Sequence, residues 1–251
     1  MSEISKELSC QYCNEKIAAS DVFCGQCGQP IDEKSEVKED VFNALQPALL
    51  YYFITFLLLA TYKLTSFFPE GFDGFILVSV IDVLIVLVFW HHNFDELREL
   101  WSLKKIKIGL ITVTILFAVL AALVVSLIAA FLNRSIYEEV YYETTLYEES
   151  PFPFLVATLL VAVQPAIFEE VAFRGFLFNY LKKVTTPTSA IYVTAFLFGV
   201  IHLQFISLLW LIPMGLIFAY SRNRYNTLWY GVFGHFAYNF TITAINFWNV
   251  G

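Results

Sequence analysis

Charged residues are scarce in this sequence. Only 15% of the 251 residues are Asp, Glu, Lys or Arg, whereas 58% are hydrophobic and 18% are aromatic. An ordinary soluble domain carries about 25% charged and about 45–50% apolar residues. This composition excludes a water-soluble globular domain and indicates a chain that places much of its surface in lipid.

Positive charge is in particularly short supply. The net charge is −7, and nucleic-acid binding requires a basic face, so no nucleic-acid partner is expected.

A long apolar run is also missing from the first 43 residues, because the first such run begins near Ala44. The sequence therefore predicts no cleavable signal peptide.

Cysteine is confined to the N-terminus. All four cysteines lie in the first 27 residues, as the pairs Cys10/Cys13 and Cys24/Cys27. Two CxxC turns place four thiolates around one tetrahedral Zn²⁺, although two disulfides or free thiols are an alternative. We predict a structural zinc ribbon over residues 1–28, and reduced thiolates favour a cytoplasmic N-terminus.

Apolar runs fill the rest of the chain after a charged linker at 29–43. Several of the runs reach 18 residues, which is long enough to cross the hydrocarbon layer of about 30 Å. The predicted fold is an all-α polytopic membrane protein with about seven transmembrane helices, preceded by a small zinc ribbon. The predicted spans lie near 44–62, 74–91, 106–132, 153–181, 188–203, 205–220 and 227–248.

Basic residues mark every second loop, as the positive-inside rule requires. They are Arg98, Lys104, Lys105, Lys107, Lys182, Lys183, Arg222 and Arg224. This pattern predicts an integral membrane protein with its N-terminus in the cytoplasm and its C-terminus outside. The loop at 133–152 is then external and solvated, and it is acidic. Its carboxylates are Glu138, Glu139, Glu143, Glu148 and Glu149.

Three charged residues interrupt the apolar run AIFEEVAFRGFLF at 166–178, namely Glu169, Glu170 and Arg174. Each such charge costs about 2.5–3.5 kcal/mol at the centre of a membrane helix. Glu170 and Arg174 are four residues apart and can pair on one helical face, whereas Glu169 is rotated by about 100° and can point elsewhere. The structural alternative is one ionic cluster that holds helices together.

Two later spans carry further polar side chains at helical spacing. Phe198 and His202 share one face, and His235 and Asn239 share another. At about 1.5 Å per residue, these polar groups and Glu169 lie roughly 12–21 Å from the cytoplasmic ends of their spans. A single histidine in a membrane helix often only forms a hydrogen bond to a neighbouring helix. Here, however, polar side chains of three spans lie at similar depth, which predicts one shared buried site.

The predicted site has the groups needed for hydrolysis. A carboxylate and a histidine can deprotonate a water molecule, and a second histidine with an asparagine amide can stabilise an oxyanion. Because no Ser or Cys lies in a nucleophile motif, direct attack of water on a peptide bond is the simpler route. A catalytic metal stays open as an alternative, since Glu169, Glu170, His202 and His235 are possible zinc ligands.

The segments EEVAFRG (169–175), FGVIH (198–202) and HFAYN (235–239) resemble the motifs EExxxR, FxxxH and HxxxN of the CPBP family. This family comprises intramembrane proteases of the CAAX-processing and bacteriocin-processing type. Order and spacing agree over roughly residues 150–245. The resemblance implies that Glu169 is the catalytic glutamate, with His202 as its helper.

The same resemblance assigns the remaining motif residues. It implies that His235 and Asn239 form the oxyanion side and that Glu170, Arg174 and Phe198 are supporting residues. The domains are then the ribbon, the linker, N-terminal helices with the acidic loop at 44–149, and a CPBP-type protease core at 150–251.

The resemblance also implies a cellular setting. The substrate would be a membrane-embedded peptide or protein, and the protein would lie in a prokaryotic plasma membrane. The ribbon would be an accessory module that can bind a protein partner. The alternatives are a non-catalytic scaffold or immunity protein that uses the ribbon for partner binding, and a proton-coupled carrier. Asp82, a further acid in the second span, could belong to the site or to a helix contact.

Overall fold

A computed structural model of the protein describes residues 8–17, 23–29, 41–136, 146–148 and 150–250. Most of the linker at 29–43 lies outside these ranges. So does half of the acidic segment 133–152, including Glu138, Glu139, Glu143 and Glu149.

The N-terminal unit is a small cysteine-rich hairpin. Strand β1 (Leu8–Ser9) pairs with strand β2 (Lys16–Ile17) in antiparallel register, so that Leu8 lies opposite Ile17. A two-residue pairing is too short to be stable by itself. The unit therefore depends on its cysteines for further stabilisation.

Helices form the rest of the described chain. Short 3₁₀ turns cover Glu99–Trp101 and Leu103–Lys105, and π-helical segments cover Thr158–Val163 and Glu170–Leu177. The α-helices are α1 (Val41–Leu64), α2 (Gly71–His92), α3 (Phe94–Arg98), α4 (Ile108–Ile136), α5 (Pro153–Ala157), α6 (Gln164–Glu169), α7 (Phe178–Val184), α8 (Pro187–Ile201), α9 (Leu208–Tyr225) and α10 (Trp229–Val250).

Local sequence explains several helix ends. Pro187 occupies the first turn of α8, where its missing N–H costs nothing, and the Thr186 hydroxyl caps that helix by accepting a hydrogen bond from the Ser189 amide at 3.2 Å. Asn226 ends α9 in the left-handed conformation, with φ of 48°. Asparagine tolerates this conformation better than most residues, so it suits a helix C-terminus.

Among the residues that the structure describes, four helices are long and apolar enough to cross a membrane. They are Val41–Leu64, Gly71–His92, Ile108–Leu132 and the continuous helix Pro153–Val184 formed by α5 to α7. Helix α8 is apolar but shorter, and α9 and α10 occupy the positions of the last two predicted spans. The predicted all-α polytopic membrane fold is confirmed, and the count of about seven spans stays a prediction.

The helix Pro153–Val184 forms the centre of the bundle. All eight residues of its second π segment, Glu170–Leu177, are buried. Its apolar side chains pack in one cluster with residues of α1, α2, α8 and α10, represented by Tyr51, Val86, Phe198 and Val232. In contrast, α4 exposes large apolar side chains such as Leu116 and Leu120, as expected of a lipid-facing helix.

The three basic regions meet at one end of the bundle. The Leu100 carbonyl accepts hydrogen bonds from the Leu228 amide at 3.1 Å and from the Thr227 hydroxyl at 2.9 Å. Lys183 forms an ion pair with Glu96 at 2.9 Å. We refer to this region, formed by residues 93–107, 179–187 and 222–229, as the basic end. Which side of the membrane it faces stays a prediction.

Candidate active site

The two glutamates of the first motif lie where one long helix is distorted. Glu169 is the last residue of α6, and Glu170 begins the second π segment. A π segment widens the backbone and often marks a functional site. The sequence analysis missed both π segments. The only local signal is Pro165 in α6, whose missing N–H disturbs the hydrogen-bond ladder.

Glu170 and Arg174 form the ion pair that their four-residue spacing predicts. Arg174 Nη1 lies 3.0 Å from Glu170 Oε1, and both side chains are almost completely buried, at 0% and 1% exposure. The guanidinium carbon also lies 4.3 Å from the centre of the Phe198 ring, and Arg174 Nη2 donates to the Gly215 carbonyl at 3.4 Å. Arg174 is thus held by charge, by an aromatic face and by backbone.

His235 of α10 connects the two glutamates. Its Nδ1 lies 3.3 Å from Glu170 Oε1, within hydrogen-bond distance, and its Nε2 lies 3.8 Å from Glu169 Oε2. A carboxylate oxygen can only accept, so Nδ1 carries the hydrogen of the first contact. The side chain of Glu169 is 28% exposed and that of Glu170 is 1% exposed. Glu169 is therefore the more accessible of the two side chains, although its Oε2 atom is itself buried.

His202 immediately follows α8 and has a defined tautomer. Its Nδ1 lies 2.7 Å from the Phe198 carbonyl. Because a carbonyl oxygen only accepts, Nδ1 carries the hydrogen, and Nε2 of the neutral ring is left with a lone pair. The Phe198 ring centre lies 5.0 Å from that of His202 and 5.8 Å from that of His235. Phe198 thus contacts both histidine rings as well as Arg174.

Asn239 lies one helical turn beyond His235 and contacts the first π segment. Its Nδ2 donates to the Val161 carbonyl at 2.9 Å. This bond uses one of the two amide hydrogens of Asn239 and ties α10 to the central helix. The structure therefore brings Glu169, Glu170, Arg174, Phe198 and His235 together directly, and it places Asn239 at their margin.

Two further residues lie close to Glu169. Asp82 of α2 and Tyr51 of α1 are both within electrostatic range of the Glu169 carboxylate. Tyr51 is 2% exposed, and α2 packs against the second π segment. Asp82, which the sequence alone could not place, thus lies near Glu169. Tyr51 was missed because an isolated tyrosine in an apolar span gives no functional signal.

The four cysteines form the second candidate site. Their sulfur atoms all lie within 4.8 Å of one another, and the Sγ atoms are 3.6 Å apart for Cys10 and Cys27 and 3.5 Å apart for Cys13 and Cys24. Tetrahedral Zn–S bonds of about 2.3 Å put neighbouring sulfurs roughly 3.8 Å apart, whereas a disulfide needs about 2.05 Å. The cluster therefore fits a zinc ion and does not fit two disulfides.

The two cysteine knuckles have the same backbone turn. The Asn14 amide donates to the Cys10 carbonyl and the Gly28 amide to the Cys24 carbonyl, both at 2.9 Å. Asn14 and Gly28 both have positive φ, 55° and 73°, the region that Gly and Asn tolerate best. The Tyr12 amide donates to Cys10 Sγ at 3.4 Å and lowers the pKa of that thiol to about 7, whereas at Cys13 a backbone hydrogen bond that lowers the pKa is outweighed by desolvation and the neighbouring thiols, which raise the pKa to about 12.

The membrane site does not offer a comparable ligand group. Within the part of the chain that the structure describes, the four cysteines are the one set of three or more His, Cys, Asp or Glu ligand atoms gathered within 4.8 Å.

The ribbon also lies against the basic end of the bundle. A Cβ placed on Gly25 would lie 2.9 Å from Lys182 Nζ, and one placed on Gly28 would lie 4.0 Å from Pro187.

Comparison with known proteins identifies one family. Residues 151–241 match the family described as Rce1-like, type II CAAX prenyl endopeptidase Rce1-like. The matched segment contains all seven motif residues, from Glu169 to Asn239, and the predicted CAAX-protease resemblance is confirmed over this segment. No curated protein and no solved structure matches the chain.

Proposed function

Residues 151–241 belong to the Rce1-like family, and from this premise we propose that the protein is an intramembrane endopeptidase that hydrolyses a peptide bond of a membrane-associated protein or peptide. The family implies a CAAX-type protease activity. The observation that carries the proposal is the partly exposed Glu169 beside a buried network of Glu170, Arg174 and His235. A reactive carboxylate needs such a fixed support.

In the proposed reaction Glu169 is the general base. Its side chain is 28% exposed and its Oε2 lies 3.8 Å from His235 Nε2. Contacts of this kind are often long before substrate binds and tighten in the reacting complex. Glu169 takes a proton from a water molecule, and the water oxygen attacks the carbonyl carbon of the peptide bond.

His202 holds the same water. Because its Nδ1 hydrogen is used by the Phe198 carbonyl at 2.7 Å, Nε2 can accept the second hydrogen of the water. This arrangement points a lone pair of the water oxygen at the substrate. Positioning of this kind lowers the entropic part of the barrier.

His235 and Asn239 stabilise the oxyanion in this proposal. Nδ1 of His235 is engaged by Glu170, so Nε2 is the ring nitrogen that faces the reaction and would contact the oxyanion. Asn239 offers the amide hydrogen that Val161 does not use. When the tetrahedral intermediate collapses, the C–N bond breaks and the proton held by Glu169 passes to the leaving amine.

The organisation of the chain follows from these roles. The ribbon at residues 1–28 would hold one structural Zn²⁺ through Cys10, Cys13, Cys24 and Cys27 and bind a protein partner in the cytoplasm. The linker at 29–43, the helices and loop at 44–149 and the protease core at 150–251 follow it. Because the site is enclosed by apolar helices, its substrate enters from the lipid bilayer, which we place in a prokaryotic plasma membrane.

The test compares Glu169→Gln with a matched exposed variant, Glu148→Gln. Both proteins are reconstituted into liposomes with a library of hydrophobic transmembrane peptides, and products are identified by mass spectrometry. We expect Glu169→Gln to fold normally and to lose about 10²–10⁴-fold in cleavage, the usual contribution of a general base. Cleavage by Glu169→Gln within a few-fold of the wild type would contradict the role of Glu169 as the base, and absence of cleavage by the wild type would instead favour a scaffold role.

A further inference from the structure

Arg222 of α9 is buried like Arg174 but, unlike Arg174, it does not belong to any of the three motifs. It is 4% exposed, although the sequence analysis counts it among the basic residues of a loop. It is buried because α9 continues to Tyr225, beyond the predicted end of that span. A buried cation in an apolar bundle is costly and points to a function for its contacts.

The guanidinium of Arg222 contacts three different parts of the chain. Its Nε donates to the Arg174 carbonyl at 2.9 Å, its Nη2 to Asn179 Oδ1 at 2.9 Å and its Nη1 to Asn226 Oδ1 at 2.7 Å. The planar fork of an arginine can satisfy three fixed acceptors at once, which a lysine cannot. Arg222 therefore ties α9 to the central helix at a defined position.

The contact with Arg174 reaches the proposed active site. The Arg174 carbonyl lies inside the second π segment, where backbone hydrogen bonding is irregular. The Arg174 side chain holds Glu170 at 3.0 Å, and Glu170 holds His235 at 3.3 Å. A displacement of the Arg174 peptide would thus be transmitted to the carboxylate that orients His235.

The same chain of contacts extends to the basic end. Asn179 donates to Glu96 Oε2 at 3.5 Å, and Glu96 pairs with Lys183 at 2.9 Å. Arg222 is consequently the link between surface contacts of the basic end and the buried glutamates.

We propose that Arg222 is a positioning residue of the peptidase reaction, which fixes the π segment so that Glu170 and His235 keep Glu169 in its reactive orientation. This inference rests on the proposed function. Arg222 contacts none of the groups assigned to the reaction, so its effect is indirect and should alter turnover more than substrate binding.

The first variant is Arg222→Lys, with Arg224→Lys as the matched control because Arg224 is exposed. We expect kcat per folded molecule to fall about 10–100-fold for Arg222→Lys, the effect of losing hydrogen bonds from a charged donor. KM should stay within about two-fold, and Arg224→Lys should behave like the wild type. If Arg222 has a purely structural role, Arg222→Lys will lower the folded fraction but leave kcat of the folded molecules unchanged. That result would overturn the inference.

The second variant avoids the risk of misfolding. Asn226→Gly removes one anchor of Arg222 at an exposed residue whose φ of 48° glycine adopts without strain. We expect kcat to fall about 2–10-fold at unchanged KM, the range for one lost hydrogen bond. An unchanged kcat in this variant would also contradict the positioning role.

Hydrogen–deuterium exchange separates this inference from the proposed function. Arg222→Lys should raise amide exchange over residues 170–178 and leave α4 unchanged. If the wild type cleaves no peptide but exchange rises as expected, the peptidase function fails while the link through Arg222 stands. If the wild type cleaves and exchange and kcat are both unchanged, the inference about Arg222 fails.

Discussion

At the scale of single residues, the buried Glu170–Arg174 pair is expected to stabilise the fold and to support the candidate site. Two ions at 1% and 0% exposure are costly to remove from water, and their mutual attraction offsets that cost only while both are present. Their role as a fixed frame explains how Glu169, next in the chain, can remain partly exposed and unpaired by arginine.

This argument predicts a large effect for Glu170→Gln. The change leaves Arg174 buried without its counter-ion and should cost about 3–5 kcal/mol of stability. The matched control is Glu96→Gln, which removes an ion pair whose side chains are 48% and 36% exposed and should cost about 0–1 kcal/mol. Thermal melting in detergent measures both, and equal losses would show that the buried pair has no special structural role.

Gly231 provides a second test at this scale. A Cβ at Gly231 would overlap the Glu170 carboxylate, whereas a Cβ at Gly109 would meet nothing within 4 Å. Gly231→Ala should therefore displace Glu170, lower stability by about 1–3 kcal/mol and reduce cleavage. Gly109→Ala should be neutral or slightly stabilising. Normal melting and normal cleavage by Gly231→Ala would contradict the observed packing of Glu170 against α10.

At the scale of elements, the central helix and the ribbon carry separate chemistry. The π segments of the helix Pro153–Val184 place Glu169 between two irregular stretches whose carbonyls accept from other helices, Val161 from Asn239 and Arg174 from Arg222. The ribbon contains the four clustered cysteines and contacts the basic end. Its metal should therefore stabilise a docking unit without entering the reaction.

The ribbon is tested by replacing all four cysteines with serine and measuring zinc by mass spectrometry. The wild type should hold about one zinc per chain, because four clustered sulfurs complete a tetrahedral site. The variant should hold almost none and should keep its activity per folded molecule. One tightly bound zinc in this variant, lost with activity when His202 or His235 is replaced, would show instead that the membrane site is a metal centre.

At the scale of the whole molecule, the bundle has a basic end built from three regions that are distant in the sequence. Hydrogen bonds from Thr227 and Leu228 to Leu100, and the pair Lys183–Glu96, hold these regions together. Loops that share one end of a helical bundle lie on one side of the membrane. The positive-inside rule then predicts that this side is cytoplasmic.

Cysteine labelling tests this orientation in the variant that lacks the four ribbon cysteines. A cysteine replacing Glu148 should react with an impermeant thiol reagent on intact cells, and one replacing Arg224 should react only after the cells are opened. Both positions are exposed in the protein, so access to the reagent depends on the membrane. The reverse labelling pattern would invert the predicted topology.

Local sequence determined the positions of the membrane helices. The predicted span at 74–91 corresponds to α2 at Gly71–His92, and the span at 227–248 to α10 at Trp229–Val250. The length of an apolar run decides whether a segment can cross lipid, and this property needs no knowledge of neighbouring helices. The same holds for Glu170 with Arg174, which lie within about one helical turn of each other, and for the CxxC spacing of each cysteine pair.

The tertiary structure alone decided the contacts between helices. The sequence predicts that Glu169 and His235 lie at similar depth, but packing between helices placed His235 between two glutamates. Packing also turned Asn239 toward Val161 and brought Asp82 close to Glu169. It buried Arg222 against the second π segment. These contacts depend on helix rotation and on irregular backbone. Both result from how helices fit against one another, and a pattern of residues within one helix does not specify them.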